Sequence, residues 1–381
     1  MGGAERVSLS IIGVLSQEGH IITMLTIDKT DWKKITDRFG CDIRPDIELS
    51  ARNFRMTEVN TSFARSSVIG IDFLFFLRRK LKAFDIVVNT YGDFEPLNAF
   101  ADITYSGGLL FSMSSKYPSI APYPMRNRII QKAYCLTNGI TKFQVLKKHP
   151  LILANSKFTE GLIKEAYGTH VATEVLYPPC NVRDATFPVN LSHKQNIVLT
   201  ISRFAFGKRL DLVPDIAKRA TNWTFIIVGS TSETSTVLIK HVLDKIKLFG
   251  LEYRVILMLN APKDKLQEVL SKTKIYLHLT KSEPFGISTV EAMAYGCVPI
   301  VHKSGGPWYD ILDRKQGYFG YGYDEYGEIA GYIKMLENVE AYKILSLNAR
   351  KRAGEFSEEN FREKFIEKFK RVLSAKGKIL H

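Results

Sequence analysis

An α/β protein of two domains is the class this sequence predicts, and three observations predict it. The chain has 381 residues, more than one usual domain, with the apolar content of an ordinary globular protein. Helix-like and strand-like patterns alternate as far as about Pro178 and again from Asn196. Between them, Asn181–Gln195 is poor in apolar residues and contains a proline, the composition of a linker. The expected division is therefore a first domain in residues 1–188, a second in 189–355 and a closing helical segment in 356–381.

The N-terminus opens on Gly2 and Gly3, followed by a helix that Glu5 and Arg6 begin. A double glycine lets backbone approach a ligand closely at a helix start. A plain loop-to-helix turn fits the same spacing. His20 marks a turn before the next strand. In a doubly wound domain such a glycine loop follows a first strand at the middle of the sheet, and only Met1 precedes Gly2 here. The expectation is that the first strand of the N-terminal domain is absent from this chain, with a start codon assigned too late as the explanation.

Charge dominates the next stretch. The formal net charge is +14, and no acidic residue stands between Asp102 and Glu160, where Lys116, Arg126, Arg128, Lys132, Lys142, Lys147, Lys148 and Lys157 accumulate. Just upstream, Phe73–Phe84 mixes bulky apolar residues with Arg78, Arg79, Lys80 and Lys82. Basic clusters beside apolar groups suit an anionic membrane surface, at about 1 kcal/mol per cation held near it. They could also meet nucleic acid, or be a solvated basic face. No recognisable nucleic-acid module is present, which favours the membrane. The apolar run Ile71–Leu77 is too short to span a bilayer. No terminal stretch has the layout of a secretion signal, and Cys41, Cys135, Cys180 and Cys297 lack metal or redox spacing. A cytoplasmic protein with reduced thiols, peripheral on a membrane face, is expected.

In the second domain, strands are expected at Ile197–Ile201, Thr224–Val228, Arg254–Leu259, Ile275–Leu279 and Val298–Val301. The first ends in Arg203, and a turn at Gly207 presents Lys208. Two fixed cations at a strand end suit a diphosphate, because preorganised positive groups stabilise charge building on a leaving phosphate. No Asp-x-Asp metal signature occurs anywhere in the chain, so these cations would do the work of a metal ion. The fourth strand leads to Glu283, Pro284, Phe285 and Gly286, which opens a helix carrying Ile287 and Glu291, with Val290, Met293 and Ala294 on its apolar side. N–H groups at that helix start favour an anion, and the two carboxylates can accept bonds from sugar hydroxyls. A glycosidase acid and base are the rival chemistry for Glu283 and Glu291, and spacing along a chain does not fix their separation. In the tail, Phe361, Phe365, Phe369 and Val372 form one helical stripe, a core face.

The full run Glu283-Pro-Phe-Gly286, Glu291-Ala-Met-Ala-x-Gly296, Pro299-Ile300 and Ser304-Gly-Gly-Pro307 resembles the retaining glycosyltransferases of family 4. The resemblance implies the GT-B fold, two Rossmann-like domains facing a cleft, with the last helix returning to the first domain so that the halves close as a hinge. It implies that Glu291 holds the ribose, Glu283 the donor sugar, and Arg203 and Lys208 the diphosphate. The Gly2-Gly3 loop would approach the donor phosphate and acceptor, and Phe285, Gly286 and Ile287 would line the donor site. Ala154–Thr159, Val175–Val182 and His302–Asp310 are similar to the branch of that family that extends dolichol-linked oligosaccharides with α-1,2-mannose from GDP-mannose. A GDP-sugar donor, with mannose as the sugar, a lipid-linked glycan acceptor and no separate cofactor or metal follow as expectations. Many relatives place a His near the reacting sugar in the first domain, where this chain has Ser106 and Gly107. A GT-B phosphorylase or epimerase, and a basic lipid- or nucleic-acid-binding protein with a decayed site, are the other readings of the same residues.

Overall fold

The computed structural model describes residues 3–50, 76–77, 79–93, 95–108, 142–182, 191–232 and 235–377. Gly2, Cys135 and the cations Arg78, Lys116, Arg126, Arg128 and Lys132 lie outside these residues. The chain divides into two compact units, one of Met1–Asn155, Thr159–Pro179 and Glu359–His381, the other of Ser156–Phe158 and Cys180–Glu358. The boundary comes earlier than the expected residue 188. Cys180 already pairs in parallel with Ser357, its N–H bonded to Phe356 O at 3.1 Å, which ties the chain into the second unit from that point. The return to the first unit follows Glu358, slightly beyond the expected residue 355.

The first unit opens with helix α1 (Gly3–Gln17), which begins two residues before the expected Glu5. It buries Val7, Ile11, Val14 and Leu15, the spacing of one helical face. Strands β1 (Thr23–Thr26) and β2 (Ile47–Ser50) pair in parallel across helix α2 (Trp32–Phe39). Asp31 caps α2 through the Lys34 N–H, and Gly40 ends it at φ 68°, a conformation that glycine adopts without strain. Strands β3 (Val88–Asn89), β4 (Ile103–Ser106), β5 (Leu151–Ala154) and β6 (Thr173–Val175) form a second parallel sheet, with helix α3 (Lys157–Tyr167) between the last two. Among the described residues this unit's strands thus fall into two sheets.

The terminal helix Glu358–Ala375 buries Phe361, Phe365, Phe369 and Leu373 in the same core as α1. Leu373 takes the place that the sequence assigned to Val372, which is only partly buried against the same core. Phe365 is fully buried, with the rings of Phe361 and Phe369 at 6.1 and 6.2 Å. Phe365→Ala should cost about 3–5 kcal/mol. Urea unfolding followed by tryptophan fluorescence measures the loss, and a change below 1 kcal/mol would show that this helix does not hold the core together.

The second unit contains β7 (Gln195–Ile201), α4 (Val213–Arg219), β8 (Thr224–Gly229), α5 (Thr236–Leu248), β9 (Val255–Leu259), α6 (Lys263–Lys272), β10 (Thr273–His278), α7 (Ile287–Ala294), β11 (Val298–His302), β12 (Tyr321–Tyr323), α8 (Ile329–Met335) and α9 (Val339–Gly354). Its six strands are parallel in the order β12-β11-β10-β7-β8-β9. Successive residues point to opposite faces, and both faces are covered: Val198, Phe225, Ile275 and Leu277 enter one core, while Leu199, Ile226 and Tyr276 enter the other. Read from β9, the order is that of a doubly wound sheet, whose topological switch point lies between β7 and β10.

Candidate functional site

Ligands of open α/β sheets bind outside the carboxyl ends of the strands at the switch point. The residues that follow β7 and β10 are those that the sequence singled out. Beyond β7 the chain keeps alongside the end of β8: Ser202 N–H bonds Val228 O at 3.0 Å and Phe204 N–H bonds Ser230 O at 3.0 Å, with the Phe204 ring buried. This leaves Arg203 exposed at the strand end and sets a short helical turn, Phe206–Lys208, that carries Lys208.

After β10, Glu283 is held by its own backbone. It pairs in parallel with Gly305, and its carbonyl accepts the Gly306 N–H at 2.8 Å. Ser304 Oγ accepts the Ser282 N–H at 2.8 Å and lies 2.8 Å from His302 Nδ1. The two glycines are required by contact. A Cβ on Gly305, at φ 75°, would stand 2.3 Å from Glu283 O, and one on Gly306 would stand 2.3 Å from Pro284 O. The Ser304-Gly-Gly segment is therefore the wall against which the Glu283 loop is cast. Gly286, at φ 97°, turns the chain into α7.

The structure brings Lys208 and Glu283 together, Nζ to Oε2 at 2.5 Å. Burial raises the Glu283 pKa, but Lys208 foremost, with His278 and Arg203, draws it below the usual carboxylate value. Glu291 lies half-buried on α7. The Phe285 side chain is buried edge-on against Phe356 at 5.4 Å. Ile287 and Gly286 are half-buried at the start of α7. Gly3 belongs to α1 in the first unit.

Two residues of β10 were missed by sequence reading. Tyr276 is fully buried, its hydroxyl 2.7 Å from Ser288 Oγ and 3.3 Å from Ile201 O, so it ties the end of β7 to α7. Burial raises its pKa, with the charges of Glu283 and Glu291 adding to the effect. His278 is buried, with Nε2 at 3.8 Å from Glu283 Oε2. Their one detectable signal was alternation: both point to the same side of a strand that otherwise reads as apolar.

Burial, with Lys208 adding to it, lowers the His278 pKa to about 4 against the pull of Glu283. The unfolded chain would protonate this histidine near 6.5. A folded-state pKa below the unfolded value gives stability that is complete above pH 6.5 and is lost as pH falls to 4, by about 3 kcal/mol in all. Denaturant titrations at stepped pH should show this slope, and His278→Asn should remove it; an unchanged slope would assign it to other groups.

In the first unit, Ser106 is buried with its hydroxyl donating to Gly108 O at 3.1 Å, and Gly107 N–H donates to Asp93 Oδ1 at 2.6 Å. Asp93 is thus the titratable group beside the place where the resemblance led to a His. Burial, against the pull of the Gly107 and Gly108 N–H groups, raises its pKa to about 6. Among the described residues no group of three or more His, Cys, Asp or Glu is placed to hold a metal ion, and no helix is long and apolar enough to cross a membrane.

The fold is that of solved GT-B proteins. Anabaena HepE, solved in complex with UDP and glucose, superposes with a TM-score of 0.71 at 18% identity over 97% of this chain and 96% of that one. Sucrose-phosphate synthase from Thermosynechococcus elongatus does so with a TM-score of 0.74 at 15% identity over 98% and 94%. Residues 182–352, which lie in the second unit, match the family model described as glycosyl transferases group 1. Among curated relatives, the GDP-Man:Man(3)GlcNAc(2)-PP-Dol alpha-1,2-mannosyltransferase of Xenopus laevis is 28% identical over 238 residues, 57% of this chain and 47% of the relative. The enzyme of the same description from Mus musculus is 25% identical over 297 residues, 71% and 59%. The chain spans about half the length of the curated relatives it matches.

Proposed function

We propose that the chain is a retaining glycosyltransferase that moves mannose from GDP-mannose to a hydroxyl of a lipid-linked oligosaccharide. The observation that carries this reading is the meeting, at the β7–β10 switch point, of the Lys208–Glu283 pair with Arg203 and the Glu291-bearing helix α7. Arg203 and Lys208 would take the diphosphate, Glu291 the ribose and Glu283 the sugar hydroxyls, with the Gly286–Ile287 backbone at the helix start facing the phosphate. Negative charge on the leaving diphosphate would be met by these two cations, with no metal ion needed. Retention fits a same-face substitution in which the acceptor hydroxyl gives its proton to the leaving phosphate as the glycosidic bond forms. The relatives named for GDP-mannose and a dolichol-linked acceptor support the choice of donor and acceptor. The acid-free basic stretch between Asp102 and Glu160 supports a peripheral place on the cytosolic face of an anionic membrane.

The test is turnover. Purified protein, with anionic vesicles, GDP-mannose and a dolichol-linked trimannosyl acceptor, should yield GDP and an acceptor one hexose heavier by mass spectrometry. The same yield with chelator present is expected. GDP release with no extended acceptor would contradict the reading of the acceptor, and no turnover of any nucleotide sugar would contradict the reading as a whole.

A further inference from the structure

The paired register of β10 with β7 ends at Tyr276 opposite Leu199. Two side chains carry the tie further along. Thr200 Oγ1 donates to Leu277 O at 3.0 Å, and the Tyr276 hydroxyl donates to Ile201 O at 3.3 Å. The same phenol oxygen lies 2.7 Å from Ser288 Oγ, the shorter and stronger of its two contacts. Ile201 is the last residue of β7, shortly before Arg203, and Ser288 is the second residue of α7, just under one turn before Glu291. One oxygen therefore meets β7 and α7 where each leads into a residue of the candidate site.

The Tyr276 ring is fully buried, in the core that holds Leu199, Ile226 and Ala292. A phenylalanine would fill that space with no polar atom to satisfy, whereas a buried hydroxyl left unpaired costs about 1–3 kcal/mol. What the hydroxyl adds is position. Helix α7 starts on Gly286, which has no side chain to cap it, so the bond to Ser288 is a side-chain hold on the first turn. The other end of that hold is a ring packed on a central strand of the sheet. We propose that Tyr276 is a positioning residue of the donor site, its hydroxyl setting the first turn of α7 against the end of β7 so that Arg203 and Glu291 meet one nucleotide at a fixed separation. The assignment rests on the function proposed above. Being fully buried, Tyr276 touches no ligand and acts through Ser288 and Ile201. A small displacement of groups that share one ligand weakens every contact they make to it.

Calorimetry of GDP on the full chain tests the role, using wild type, Tyr276→Phe, Ser288→Ala and the double variant. Phe keeps the packed ring and removes the hydroxyl alone, and Ser288→Ala removes the partner from a half-buried position. Each single variant should bind GDP about five- to tenfold more weakly than wild type. The double variant should bind within about twofold of the weaker single variant, because both changes remove the same bond. Urea unfolding of the same four proteins separates position from stability, since a merely structural bond lowers stability and leaves the affinity of the folded protein unchanged. If the single variants bind GDP as wild type does, the assignment of Tyr276 falls and the proposed function stands. Losses that multiply in the double variant would also overturn it, because the two hydroxyls would then act separately. If folded wild-type protein binds no nucleotide, GDP or UDP, the proposed function falls and the assignment with it.

Discussion

Lys208→Ala is expected to lower sugar transfer about 10²–10³-fold, the effect of removing one preorganised charge from the path of a leaving group. It should do more than the loss of a surface cation, because Lys208 bonds Glu283 at 2.5 Å and is the largest influence drawing that carboxylate's pKa down. Without it, Glu283 is left among buried neighbours, opposed only by the exposed Arg203 and a neutral His278. Two consequences separate this account from a simple diphosphate role. Affinity for free GDP should fall, and the pH below which activity is lost should rise, since Glu283 then protonates at a higher pH. Steady-state rates from pH 5 to 8 for wild type, Lys208→Ala and Lys208→Arg measure both. A Lys208→Ala enzyme within threefold of wild type across that range would remove Lys208 from the site.

Gly305→Ala should have the largest effect on structure. The added Cβ would sit 2.3 Å from Glu283 O and 2.7 Å from Glu283 N, against backbone that cannot move aside cheaply, at a φ of 75° that side-chain-bearing residues rarely adopt. Left-handed strain and overpacking together set the cost at about 2–5 kcal/mol. Gly306→Ala meets Pro284 O at 2.3 Å and should act in the same direction. Since the atoms displaced are those that position Glu283, nucleotide-sugar binding should weaken even where the variant still folds. Gly331→Ala is the control, because a Cβ there meets nothing within 4 Å. Urea unfolding and GDP-mannose titration of the three variants would show the loss, and equal stability of Gly305→Ala and the control would contradict the contact.

The second unit was the more legible in sequence because its strands are short apolar runs bounded by turns. Five of its six were expected within two residues of where they lie. β12 was not, since Tyr321-Gly-Tyr323 is three residues long and Gly322 interrupts the apolar run. The Glu283–Gly286 turn and the helix bearing Glu291 were legible because glycine, proline and apolar spacing write local geometry directly. What needed the structure was contact across strands. Nothing in the spacing of Lys208 and Glu283 shows that parallel β7 and β10 deliver them to one point. His278 and Tyr276 read as members of a strand, and the packing of Phe285 against Phe356 is not written in any spacing. In the first unit, the Asp93–Gly107 bond joins two loops that follow different strands, which periodicity does not reveal. Of the twelve cations expected to face a membrane, Arg78, Lys116, Arg126, Arg128 and Lys132 fall outside the described residues.

The central claim is that the β7–β10 switch point holds a nucleotide-diphosphate sugar. Thermal unfolding of the full chain with GDP, UDP, ADP and their sugars, alongside Glu291→Ala, tests it most directly, since a ligand at 100 times its Kd stabilises the native state by about 2.7 kcal/mol. The account predicts an upward shift with GDP, larger with GDP-mannose, and its loss in Glu291→Ala. No shift with any nucleotide in folded protein, or an equal shift in the variant, would contradict it.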